Sequence, residues 1–142
     1  MDRNADYLAD IYRGVRMGAE TLDTIINRTD SQRIKNELAR EKDIYRDFQN
    51  KVVSEMRVRN QKPQEATQAK KRMAKMGIYL NTSLDKTPSH IADLVIQGNN
   101  MGIIGMNKAI NHHRLCDRKI TSLANELISI QKENIDNLTK FL

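Results

Sequence analysis

Histidine, cysteine and aspartate meet in "HHRLCD", residues 112–117, where His112 and Cys116 stand four apart, as do His113 and Asp117. On a continuing helix each pair would share a face, and imidazole, thiolate and carboxylate form a donor set that suits zinc. No second ligand pair lies near in sequence, so the expected role is a helix end whose histidines favour the negative pole of the helix dipole. Cys116 has histidines beside it, but an activated nucleophile needs a base oriented by a third group, and the pattern offers none. No glycine-rich loop joins a strand to a helix, which removes the common nucleotide-binding motifs. Catalytic residues are not assigned, no cofactor is expected, and the chain reads as a non-enzyme.

Two carboxylates stand out. Glu41 falls within an apolar stripe, where a carboxylate must be paired, hydrogen-bonded or protonated; Gln97, Asn100, Tyr45 or a lysine entering from another helix are its candidate partners. Glu41, Gln97 and Asn100 are the polar mid-bundle group, the amides either facing solvent or fixing helix register, or else lining a small pocket. Glu126 is the corresponding carboxylate near the C-terminus. Together with His112, His113 and Cys116, these two acids exhaust the candidate metal ligands.

Four long amphipathic helices must position these groups. The first, residues 2–28, carries Leu8, Ile11, Val15, Leu22 and Ile25 at spacings of three and four. Thr29, Asp30 and Ser31 supply N-cap chemistry for the second, residues 32–59, with Ile34, Leu38, Tyr45, Phe48, Val52 and Met56. So short a connection folds the pair into an antiparallel hairpin. Residues 60–87 form a connection broken at Pro63, and within it a shorter amphipathic helix is expected over residues 64–80. Thr87 then caps a helix with Pro88 at its first position, where the missing N–H costs nothing. That helix runs to about residue 113 and a last one from about 118 to the C-terminus, giving a second hairpin over residues 88–142. A connection of this size can travel the length of helices some 35–40 Å long at ~1.5 Å per residue. The expectation is one all-α domain over residues 1–142, with two antiparallel hairpins joined by a long crossover.

The third of these helices contains "QGNNMG" at its centre. Glycine inside a helix costs ~1 kcal/mol relative to alanine, so Gly98, Gly102 and Gly105 need an offset. Their spacing, and that of Gly14 and Gly18 in the first helix, is expected to bring backbones into close contact.

Composition sets the outer bounds. A chain of 142 residues, 39% hydrophobic and 30% charged, with two prolines, no tryptophan and few aromatics, describes a helical globular protein. No apolar run is long enough for a membrane span, the polar, acidic start is no secretory signal, and a single cysteine suits a reducing cytoplasm. The net charge of +6 is concentrated in residues 57–75, where Arg57, Arg59, Lys62, Lys70, Lys71, Arg72 and Lys75 face one acid, Glu65. Such a run can neutralise phosphates, but it lacks interleaved aromatics and any reading motif, so a solvated helix face and linker is the first expectation.

Length, helix grouping and the long connection make the chain resemble a ferritin-like four-helix bundle. That resemblance implies a di-iron site built from one Glu on each of two helices and a Glu-x-x-His on each of the other two. Here Glu20 lies off the apolar stripe, Glu41 is followed at the third place by Ile44, the third helix has Gln97 and no Glu, and Glu126 is followed by Ser129. Neither imidazole motif survives. The chain is therefore more similar to the uncharacterised, spore-coat-type bacterial branch, which shares such hairpins without iron ligands. The expected function is protein–protein contact or self-association, as a dimer. A ligand- or metal-binding relative with an altered mid-bundle site is the alternative, and a nucleic-acid-associated protein using its basic run is the third.

Overall fold

The structure is a computed structural model that describes residues 2–64 and 85–142. Among the described residues there are four α-helices and no strand: α1 (Arg3–Ile26), α2 (Gln32–Val58), α3 (Pro88–His112) and α4 (Arg118–Thr139). The short helix expected over residues 64–80 lies almost wholly outside the described residues.

Each helix starts and stops for a local reason. The Asp2 carboxylate accepts from the backbone N–H groups of Asn4 and Ala5 at 2.9 and 3.3 Å, satisfying donors that the first turn leaves free. The Thr87 hydroxyl does the same for His90 at 3.3 Å, with Pro88 at the following position. Ser31 stands at the N-cap of α2 without a side-chain cap bond, while the Thr29 hydroxyl accepts from the Ser31 N–H at 3.3 Å. α2 ends in a left-handed residue, Asn60 with φ of 57°, the conformation asparagine tolerates best after glycine. The Gln61 N–H then reaches Met56 O at 2.8 Å and the Asn60 N–H reaches Arg57 O at 3.0 Å, the paired bonds of a Schellman stop. Pro63 prevents continuation.

The apolar stripes bury one face of every helix. Leu8, Ile11 and Val15 of α1, Ile34, Leu38 and Val52 of α2, Ala92 of α3, and Ile120, Leu127 and Leu138 of α4 are all at 0% exposure in one continuous core. Full burial of such side chains is worth up to about 1.5–3 kcal/mol each for the larger ones. α1 packs on α2 and α3 on α4 most extensively, and α1 also meets α3 and α4. The residues that meet are specific: Gly18 lies against Tyr45, Gly14 against Met106, Gly102 against Gln131, and the Tyr7 hydroxyl donates to the Thr121 hydroxyl at 3.1 Å.

The five glycines of α1 and α3 divide by what surrounds them. A Cβ on Gly18 would stand 3.0 Å from the Tyr45 ring, one on Gly14 3.2 Å from Met106, and one on Gly102 2.3 Å from the Gln131 amide. These three serve close packing. No described residue comes within 4 Å of a Cβ placed on Gly98 or Gly105, which corrects the expectation that they lie on the same crowded face. The reason is rotational: the inward line of α3 runs through Val95, Asn99, Gly102 and Met106, and only Gly102 of the three glycines is on it.

Candidate functional site

The bundle interior holds a polar cluster where the four helices meet. α2 contributes Glu41 and Tyr45, one turn apart on its buried face; α3 contributes Asn99; α4 contributes Gln131 and Asn134. All five are at most 5% exposed, with Glu41 at 0%. Gly18 of α1 closes one side against the Tyr45 ring, and Gly102 leaves room for Gln131. The Tyr45 hydroxyl donates to Asn99 Oδ1 at 2.9 Å, and Asn99 Nδ2 donates in turn to the Val95 carbonyl at 2.9 Å. Burial raises the Tyr45 pKa above its ordinary value, opposed by the approach of Asn134 and Gln131 to its hydroxyl.

Glu41 is the centre of the chemistry. As a carboxylate, neither of its oxygens finds a donor among the described residues, and Gln131 Oε1 and Asn134 Nδ2 are likewise without a well-formed hydrogen bond. Removal from water pushes its pKa up to about 10, helped by the neighbouring Glu37, one turn earlier, and opposed weakly by Arg40. Glu37 moves the other way: desolvation alone would raise it, but hydrogen bonding to Glu41 and Arg40 lowers it. Arg40 grips Glu37 with both forks, Nε to Oε1 at 3.2 Å and Nη2 to Oε2 at 2.7 Å. Glu41 is therefore held as the neutral acid and Glu37 as the carboxylate of the pair.

Two of the residues expected beside Glu41 are elsewhere. Gln97 is exposed and donates to Asp93 Oδ1 at 3.1 Å, and Asn100 is exposed. Asn99 takes the inward place because it follows Val95 by four residues and precedes Gly102 by three. Gln131 and Asn134 were not anticipated; their three-residue separation on the buried face of α4, in register with Ile120, Leu127 and Leu138, is the signal that identifies them.

The remaining candidate ligands are dispersed. Glu126 is on the rim, paired with Lys51 at 2.7 Å. α3 ends at His112, and His113, 6% exposed, stacks on Tyr7 with ring centroids 4.6 Å apart and contacts Asp10 Oδ2 through Nε2 at 2.9 Å. The Cys116 N–H donates to the His113 carbonyl at 3.0 Å, which turns the chain, and Asp117 caps α4 by accepting from Lys119 N at 2.9 Å. The HHRLCD segment thus forms a helix stop, a turn and a helix start. Among the described residues no three His, Cys, Asp or Glu side chains come together as a metal-binding group.

Of the basic run, Arg57 and Lys62 are exposed. Arg59 is engaged: it bonds Glu55 at 3.0 Å and Asp117 at 2.7 Å, tying the end of α2 to the start of α4. Hydrogen bonding from Lys119 and Arg59 holds Glu55 below its usual range, and Arg59 does the same for Asp117. Lys70, Lys71, Arg72 and Lys75 lie outside the described residues. No helix among the described residues is long and apolar enough to cross a membrane.

These observations define the class as an all-helical protein, with four helices among the described residues and a buried polar centre. Neither a known protein family, nor a curated protein, nor a solved structure matches the chain.

Proposed function

We propose that this chain is a non-enzymatic, ferritin-like crossover bundle that acts by contact with protein, a second copy or another chain, in a reducing cytoplasm. The observation that carries the contact reading is the outer surface of α3. Met101 and Ile104 are 68% and 56% exposed in the middle of a helix. The other exposed large hydrophobic side chains among the described residues are Val58 at a helix end, Leu115 in a turn and Leu142 at the last residue. Mid-helix apolar exposure of this kind marks a surface that another molecule covers. Its lone cysteine is compatible with the cytoplasmic part of the reading.

The order of contacts supports the crossover arrangement. Gly18 faces Tyr45 and Gln61 bonds Ala5, so numbers fall along α2 as they rise along α1. Met106 faces Gly14 and His113 faces Asp10, which gives the same opposed sense for α3. Helices α2 and α3, both opposed to α1, then run parallel, and the connection between them has the length of the bundle to cover.

A photo-crosslinking residue placed at Met101, with a control at exposed Asn107, tests the contact reading in intact cells. Discrete crosslinked protein from position 101 and none from 107 is expected; no adduct from 101 removes the proposal.

A second reading, a small-ligand or metal site in the interior, draws on the unpartnered atoms of Glu41, Gln131 and Asn134. The donor set does not fit a di-iron centre. Glu37 and Glu41 stand on one helix, Arg40 already neutralises the first, and the histidines lie at the two ends of α3. Metal analysis of wild-type protein against Glu41→Gln separates the readings, since stoichiometric metal lost in the variant favours the second.

A further inference from the structure

We infer that the end of the bundle where α1 and α4 begin and α2 stops docks on the anionic headgroup surface of a lipid bilayer. Contacts bring three segments together there. Arg59 Nη2 bonds Asp117 at 2.7 Å, Asn4 Oδ1 accepts from the Asp117 N–H at 3.0 Å, and the Gln61 amide donates to the Ala5 carbonyl at 2.8 Å. Residues 2–6, 55–64 and 112–119 hold seven Lys or Arg against four Asp or Glu. At the opposite end, residues 26–37, 85–90 and 133–142 hold five against five. The described residues as a whole hold twenty against seventeen, so their formal surplus of positive charge equals that of this one end.

The groups left over at this end decide the partner. Arg59 and Lys119 are engaged with Glu55 and Asp117. Arg3, Arg57, Lys62, Arg114 and Arg118 are exposed and pair with no acid among the described residues. The two most exposed large hydrophobic side chains of the described residues belong to the same segments, Leu115 at 89% and Val58 at 76%. Val58 stands between Arg57 and Arg59 in sequence, and Leu115 follows Arg114. A headgroup surface answers both features: its negative charge attracts the cations, and the acyl boundary beneath takes up aliphatic side chains. The long stems of arginine and lysine keep the charge at headgroup level while the shorter apolar groups go deeper. Nucleic acid would answer the charge alone. Its bases stack on aromatic rings, and Tyr7, one residue beyond the first segment, is fully buried and stacked on His113.

Flotation of the intact chain with vesicles tests the assignment, using phosphatidylcholine alone and phosphatidylcholine with roughly one-third phosphatidylserine. Wild type should float with the anionic vesicles at about 0.1 M salt, but neither with them at about 0.5 M nor with the neutral ones. Arg114→Glu with Arg118→Glu and, separately, Arg57→Glu with Lys62→Glu should each weaken binding on the order of thirtyfold or more, from about fivefold per basic residue. Leu115→Ser should weaken it several-fold and leave its salt dependence unchanged. Lys86→Glu with Lys140→Glu, at the other end, should float as wild type does. Melting curves by circular dichroism should be retained in every variant used. A wild type that stays behind with anionic vesicles overturns the inference, as do end variants that float like wild type or a control pair as weak as they are. Full binding by Leu115→Ser removes the bilayer as the occupant. So does a wild type that shifts duplex DNA without floating and loses the shift with Arg114 and Arg118, which assigns the surface to nucleic acid.

Discussion

Replacing Glu41 by glutamine should make this protein more stable at neutral pH, although Glu41 is completely buried in the core. Folding takes a carboxyl that ionises near 4.5 in the open chain and raises its pKa to about 10. A group shifted upward contributes fully to stability below its unfolded pKa, and that contribution is lost as pH rises toward the folded value. Between pH 4.5 and 7 the unfolded chain gives up the proton while the folded protein keeps it, which costs up to about 3 kcal/mol at ~1.4 kcal/mol per pH unit. The partner Glu37 is shifted downward, so its contribution is present above its unfolded pKa and is lost only as pH falls below that range. The two effects therefore occupy different windows. Glutamine keeps the shape without a proton to lose, so the variant should gain about 1–3 kcal/mol at pH 7.5 and little at pH 4.5. Urea denaturation followed at 222 nm for both proteins at pH 4.5, 6.0 and 7.5 measures the difference. If Glu41→Gln instead loses stability at pH 7.5, and the wild type grows more stable across that interval, Glu41 is ionised and held by a cation, and the account of a neutral buried acid is wrong.

Further expectations concern packing and one surface link. Gly102→Leu should destabilise by about 1–3 kcal/mol or more, since even its Cβ would stand 2.3 Å from the Gln131 amide inside a buried cluster; an unchanged melting temperature would place that face outside the core. Gly105→Ala should instead stabilise by up to about 1 kcal/mol, as no described residue opposes the added methyl and helix propensity improves; a lower melting temperature contradicts this. Arg59→Gln should lower the melting temperature slightly, because it frees Asp117 and leaves Glu55 to Lys119 alone, and the loss should shrink in high salt. A salt-independent deficit would point to lost packing of the arginine stem rather than to its charge.

Periodicity and punctuation in the chain were enough to place the four described helices. Apolar residues three and four apart, Pro88 behind Thr87, and the turn at residues 113–117 fix where each helix runs, because these are local properties of backbone hydrogen bonding and side-chain direction. The buried acid was legible too, since Glu41 interrupts a stripe that is otherwise apolar. Its surroundings were not. Whether Asn99 or Asn100 turns inward depends on a rotation of 100° about the α3 axis, and that angle is set by which residues of α1 and α4 it packs against. The same rotation separates Gly102, pressed on Gln131, from Gly98 and Gly105, which nothing described approaches. Spacing alone gives the relative phase of residues on a helix. The absolute phase toward the core, and with it the partners of Glu41, comes from packing between segments distant in sequence.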